Sequence, residues 1–106
     1  MTVIWSPRAI VELESEASWI AVDRPHAAWT FIEKMLDASA RLGEYPYSGK
    51  QVRGHSDLPL RELVVAPYRM IYLPQPRKVS IVTLKHSREE LTEDDLVLES
   101  SEESEW

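Results

Sequence analysis

The chain is 106 residues long, 43% hydrophobic and 28% charged, with no cysteine. This sizes it for one small globular domain and excludes disulfides and thiolate metal sites. No apolar run approaches the roughly 20 residues that span a bilayer. The start, Met1-Thr2-Val3-Ile4-Trp5-Ser6-Pro7, lacks the regions of a signal peptide, so a cytoplasmic protein is expected.

The net charge of -6 is unevenly spread. Residues 1–88 hold all 12 Lys and Arg against nine acids, whereas residues 89–106 hold nine acids and no base. Residues 50–88 alone carry eight bases against Asp57 and Glu62. A local basic patch of this kind attracts a polyanion or an acidic protein whatever the total charge. The histidines, His26, His55 and His86, have no metal-ligand spacing, so no metal or cofactor is expected.

Val3-Ile4-Trp5 predicts a short strand. Ser6 then caps a helix with Pro7 at its first position. Ile10, Leu13, Ala17 and Ile20 recur at helical spacing and predict a helix from about Pro7 to about Val22. The three-residue break Asp23-Arg24-Pro25 leads into a second helix, with Ala28, Ile32, Met35 and Leu42 on one stripe widened by Phe31 and Leu36. Two amphipathic helices so joined predict an antiparallel αα-hairpin. Trp19 and Trp29 are expected in the helix–sheet core, with a binding face as the alternative.

All three glycines, Gly43, Gly49 and Gly54, fall in the next segment with Pro46 and Pro59, predicting a long irregular loop. Its Tyr45, Tyr47, Lys50, Arg53 and His55 suit phosphate and base contacts. The alternative is a solvated loop with its tyrosines tucked onto the core. Strands are predicted over residues 60–65, 68–73 and 79–85, rich in β-branched, aliphatic and aromatic residues. Pro67 argues against the common two-residue primed turns and leaves the register of the first pair open. Residues 89–98 predict a short helix. Glu99–Trp106, nearly all Glu and Ser, has a disordered composition. The charge of residues 89–106 allows them to fold back on the basic surface.

The expected fold is α+β, an N-terminal strand and αα-hairpin packed on a small antiparallel sheet. Residues 1–91 form the domain and residues 92–106 an acidic, partly disordered tail.

This order, with these residues, resembles the RelE/ParE superfamily of bacterial toxins from type II toxin–antitoxin systems, over about residues 3–91. The resemblance is carried by Trp5-Ser6-Pro7, Trp19-Ile20-Ala21, Asp23-Arg24-Pro25-His26-Ala27-Ala28 and the stretch from Pro46 to Gly49. It continues through Leu60-Arg61-Glu62-Leu63, Pro67-Tyr68-Arg69-Met70-Ile71-Tyr72 and Leu84-Lys85-His86-Ser87-Arg88. The hairpin with its Asp-Arg-Pro junction is more similar to the ParE branch. That branch implies growth inhibition through DNA gyrase, no catalysis, plasmid stabilisation, and silencing by a cognate antitoxin in a heterodimer or larger complex. The RelE branch implies an endoribonuclease that cuts mRNA on the ribosome without metal. By that resemblance Arg69 matches a central-strand arginine of the active site, and His86 and Arg88 lie where late-strand catalytic groups occur.

Metal-free RNA cleavage needs a base, an acid and cations on the strained phosphate. Histidine is the residue type suited to proton transfer near neutral pH, which makes His86 the candidate for that role, and Arg61, Arg69 and Arg88 suit phosphate. A terminal tyrosine beside His86 is missing, with Ser87 in its place, and no second proton-transfer group is evident. The structural alternative for Arg69 is an ion pair with Glu62, and for His86 a strand-end hydrogen bond to backbone. Lys50, Arg53, Arg61 and Lys85 are candidate contacts to nucleic acid or a protein target. A small nucleic-acid binder and a degenerate toxin that still binds its antitoxin remain as further classes.

Overall fold

Ser6 serves both the first helix and the sheet. Its Oγ accepts from the Ala9 N–H at 3.1 Å, capping a helix that begins at Pro7, and donates to the Val82 carbonyl at 2.8 Å. The computed structural model describes the whole chain except Arg53, Ser56, Glu90, Glu93, residues 97–103 and Trp106. Its elements are β1 (Thr2–Trp5), α1 (Pro7–Asp23), α2 (Pro25–Glu44), β2 (Lys50–Gln51), β3 (Arg61–Val65), β4 (Tyr68–Pro74), β5 (Lys78–His86), a 3-10 turn (Asp94–Leu96) and β6 (Ser104–Glu105).

The helical hairpin is tighter than the sequence suggests. Arg24 alone separates the helices; its N–H donates to the Ile20 carbonyl at 3.0 Å and its carbonyl accepts from the Ala28 N–H at 3.2 Å. Pro25 opens α2, where a missing N–H costs nothing. The second helix also runs further than expected, through Gly43. A Cβ there would lie 2.7 Å from the Met1 carbonyl oxygen, so a glycine lets the N-terminal strand cross the helix end.

The sheet order is β2-β3-β4-β5-β1-β6. Neighbours are antiparallel except β1 and β5, which are parallel in the register Thr2↔Lys78 to Trp5↔Ile81. The sheet is therefore mixed, which corrects the antiparallel expectation. The whole helical hairpin lies between β1 and the other strands, and a connection that long permits parallel pairing. The β3–β4 turn has just two residues, Ala66 and Pro67, with Val65 opposite Tyr68 and a cis peptide between them.

Both helices pack on one face of the sheet. Ala9, Leu13, Ala17, Phe31, Met35, Ala38 and Leu42 meet Met70, Tyr72, Val79, Ile81 and Leu84. Trp5 joins this cluster, and its indole N–H donates to Ser39 Oγ at 3.2 Å. The other face carries a smaller cluster of Val52, Leu60, Ile71, Leu73, Val82 and Leu96, with Leu58 and Leu91 against it.

The expected helix over residues 89–98 is corrected where it is described: Asp94–Leu96 form one 3-10 turn, and Leu91 and Thr92 are irregular. Leu91 and Leu96 both reach the second face, and a regular helix would set residues five apart about 140° from each other. Of the expected acidic tail, residues 97–103 and Trp106 lie outside the described residues. Ser104–Glu105 lie against β1, at the opposite edge of the sheet from the basic residues of β2 and β3. The start of residues 89–106 does fold back on the basic region, through Glu89 and Asp95 at 3.9 and 3.1 Å from Lys85, whereas Ser104–Glu105 do not.

Candidate functional site

A recess lies on the face the helices leave open. It is about 640 Å³ and is lined by Lys50, His55, Glu62, Val64, Arg69, Ser87, Glu89 and Leu91. Glu62 lines it and is 4% exposed. The Arg69 Nε and Nη2 donate to Glu62 Oε2 at 2.7 and 2.6 Å, and Arg69 Nη1 donates to the Glu89 carbonyl at 3.3 Å. The pairing Val64↔Arg69 and Glu62↔Ile71 puts these two side chains diagonally on one face, within reach of each other. Lys50 Nζ stands 4.0 Å from the other Glu62 oxygen. A buried carboxylate is tolerated here because arginine neutralises it and takes its hydrogen bonds.

Arg61 serves the loop before β2. Its Nη1 donates to the Gly49 carbonyl at 2.6 Å and to the Tyr47 carbonyl at 3.4 Å, and its guanidinium lies 5.2 Å from the centre of the Tyr47 ring. Tyr72 accepts from the Gly49 N–H at 2.8 Å. Burial raises the Tyr72 pKa; the Gly49 N–H and the charge of Arg61 oppose that. A Cβ on Gly49 would lie 2.5 Å from the Glu62 carbonyl oxygen and 2.6 Å from the Tyr72 hydroxyl, so glycine is required there. The tyrosines of this loop do not tuck onto the core: Tyr45 and Tyr47 are 63% and 67% exposed.

His86 faces the other way. It pairs with Tyr68, whose ring it meets edge-on at 5.8 Å, and Tyr68 belongs to the helix-side core. Its Nδ1 accepts from the Arg88 N–H at 3.4 Å, and its own N–H donates to Glu89 Oε1 at 2.9 Å. Arg69, one residue on from Tyr68, projects from the opposite face. The arginine and histidine suggested as catalytic partners are thus separated by the sheet. Arg88 is exposed in the turn after β5, and Arg53 lies outside the described residues.

Lys85 is occupied by carboxylates: Asp95 at 3.1 Å, Glu12 at 3.2 Å and Glu89 at 3.9 Å. Burial alone would lower the Lys85 pKa; Asp95 and Glu12 more than offset it, and the net shift is upward. Burial would raise the Asp95 pKa, but hydrogen bonds from Thr92 and Lys85 bring it below the usual carboxylate value. Arg8 also contacts Asp95, at 3.2 Å. Glu12 does more than pair with lysine. Its Oε1 accepts from the Leu84 N–H at 3.0 Å and the Thr83 hydroxyl at 2.7 Å, closing the free edge of β5 beyond its pairing with β1.

One surface was missed by sequence reasoning. Trp19 and Trp29 were expected in the core, yet they are 77% and 65% exposed. Helical geometry is the reason: Ala9, Leu13 and Ala17 take the buried face of α1, and Trp19 lies on the opposite side with Val11 and Val22. The sequence signal was present. Val11, Ser15, Ser18 and Val22 make a second, uncharged stripe on the outward side of α1, where a lone amphipathic helix usually carries charge. Beside Trp19, a second groove of about 580 Å³ runs between the hairpin and the β3–β4 turn. Ile20, Phe31, Met35 and Pro67 line it; Arg24 and Lys34 bring positive charge, and Glu16, which accepts from the Tyr68 hydroxyl at 2.7 Å, brings negative charge.

An N-terminal strand, a tight αα-hairpin on one sheet face and a basic-to-mixed-charge cleft on the other define a small RelE/ParE-type α+β domain. The family model of the ParE toxin of the type II toxin–antitoxin system, parDE, matches residues 3–91. The chain belongs to this family and is a toxin of a type II toxin–antitoxin system. It is 33% identical over 86 residues to Toxin RelE2 of Caulobacter vibrioides, covering 80% of this chain and 93% of that one. Its fold is similar to a solved chain of the chromosomal ParDE TA system from P. aeruginosa, with a TM-score of 0.70 at 15% identity, over 81% of this chain and 95% of that one. Among the described residues no helix is long and apolar enough to cross a membrane.

Proposed function

We propose that this toxin acts in the cytoplasm by inhibiting DNA gyrase, as a binding protein and not as an enzyme, and that a cognate antitoxin neutralises it in a heterodimer or larger complex. The observation that carries this reading is the position of Arg69 and His86 on opposite faces of the sheet, with Arg69 committed to Glu62. Metal-free cleavage needs the phosphate-holding arginine and the proton-transferring histidine to converge on one phosphate. Side chains on opposite faces of the sheet do not converge in this way, whereas binding a protein target needs only a surface. Lys50, Arg61 and, from the loop's composition, Arg53 are the candidate target contacts; Lys85 contributes through its position more than its charge, which carboxylates already offset. The groove beside Trp19 suits an amphipathic antitoxin segment with an apolar face and an acidic edge opposite Arg24 and Lys34.

The test is a pair of assays on purified protein. Supercoiling by gyrase should fall with added toxin and recover with antitoxin, while mRNA on translating ribosomes stays intact. A second reading is favoured by the likeness to a relative named Toxin RelE2. In it the chain is a ribosome-dependent endoribonuclease using Arg69, His86, Arg61 and Arg88. Cleaved mRNA with unaffected gyrase would decide for that reading.

A further inference from the structure

From the pairing of β6 with β1 we infer that the outer edge of β1 is a strand-addition site, held in the free toxin by the chain's own C-terminal strand and yielded to an extended segment of the antitoxin. The competition part rests on the antitoxin reading above; the occupancy part does not.

The geometry is specific. The Ser6 N–H donates to the Ile81 carbonyl at 2.9 Å, toward β5. Backbone groups alternate along a strand, so the Trp5 N–H and C=O turn away from β5, toward β6. β6 lies there antiparallel, with Ser104 opposite Trp5 and Glu105 opposite Ile4. It covers two of the four residues of β1. An open edge strand offers unpaired donors and acceptors to any extended chain. A two-residue cover satisfies few of them, so a longer partner strand that pairs along all of β1 gains what β6 cannot. The occupant also sets the chemistry of its replacement. Residues 89–106 hold nine acids and no base, against a surplus of three positive charges in residues 1–88. Ser104 and Glu105, from an acidic, serine-rich stretch of sequence, pair with this edge, and the competing antitoxin segment is of the same kind.

The consequence is a lowered apparent affinity, because only the uncovered fraction of toxin accepts the partner strand. A cover that is closed about ten times as often as it is open lowers apparent affinity about tenfold.

The experiment compares full-length toxin with the full-length Ser104→Pro/Glu105→Pro variant. Proline removes the Ser104 N–H that faces β1 and disfavours a strand there, and it costs one of the nine acids of residues 89–106. Hydrogen exchange at the Trp5 and Ile4 amides reads the edge directly. Trp5 should exchange at least about tenfold faster in the variant, while Ile4, turned toward β5, stays unchanged. Stopped-flow mixing with the protein of the adjacent reading frame reads the competition, and the variant should associate roughly three- to tenfold faster. A Trp5 amide equally protected in both chains overturns the occupancy. Faster Trp5 exchange with equal association rates overturns the competition. Failure of both chains to bind the adjacent-frame protein overturns the antitoxin reading, and the exchange result still decides whether β6 holds the edge.

Discussion

The two faces of the sheet are built on different physics. The helix face is a continuous apolar core in which Leu13, Met35, Leu42 and Tyr72 are almost wholly buried. The open face sets a buried ion pair, Glu62 with Arg69, beside a smaller apolar cluster. Apolar packing tolerates many residues of similar volume, whereas a buried carboxylate tolerates little besides its partner. The open face therefore carries more specification per residue, although the helix face carries more buried area.

The sharpest way to break the comparison is Arg69→Ala. It leaves Glu62 buried without a counter-charge, and chemical denaturation should show a loss of about 3–5 kcal/mol. The paired variant Glu62→Leu/Arg69→Met should recover most of that loss, because two apolar groups replace the pair without an orphan charge. If the double variant is as unstable as Arg69→Ala, the pair does more than neutralise itself. On the helix face, Leu13→Ala should cost about 3 kcal/mol with no comparable rescue by a single neighbour. Tyr72→Phe links the two regions, since its ring is in the helix-side core and its hydroxyl holds Gly49. Losing that acceptor should cost about 1–3 kcal/mol and speed exchange of the Gly49 amide.

The pH dependence sharpens the account of the C-terminal segment. Asp95 is depressed in the folded chain. Its contribution is present above the unfolded carboxylate value of about 3.9 and is lost as pH falls through the lower folded value. Lys85 is raised. Its contribution is present below about 10.4 and is lost as pH rises through the higher folded value. Between these limits the Arg8–Asp95–Lys85–Glu12 network should be intact. Asp95→Asn should therefore lower stability by about 1 kcal/mol at neutral pH and by progressively less as pH falls through the lowered folded value. A melting-temperature series across that range checks it.

How far the sequence could be read follows the same division. Period-3.6 and strand patterning gave the helices and the three long strands, because burial on one face enforces those periods. The hairpin of β3 and β4 and the Glu62–Arg69 pair were legible once both fell on one strand face. The side of the sheet on which His86 sits was not, since a single alternation of register moves a strand residue to the other face. The parallel placement of β1 depended on long-range packing that no local pattern encodes. Two residues of β2 are too few to show a period. The outward stripe of α1 was visible as Val11, Ser15, Ser18 and Val22, but tryptophan's usual place in cores drew Trp19 inward in the reading.

The central claim is that the two faces do not cooperate in a reaction. Growth arrest by the His86→Ala variant, expressed without antitoxin, tests it most directly, with a thermal melt to confirm folding. The account predicts arrest within about twofold of the parent, since surface-proximal substitutions outside the core change stability little and no proton is transferred through this side chain. A folded His86→Ala protein that no longer arrests growth, beside a parent that cleaves mRNA on ribosomes, would contradict it.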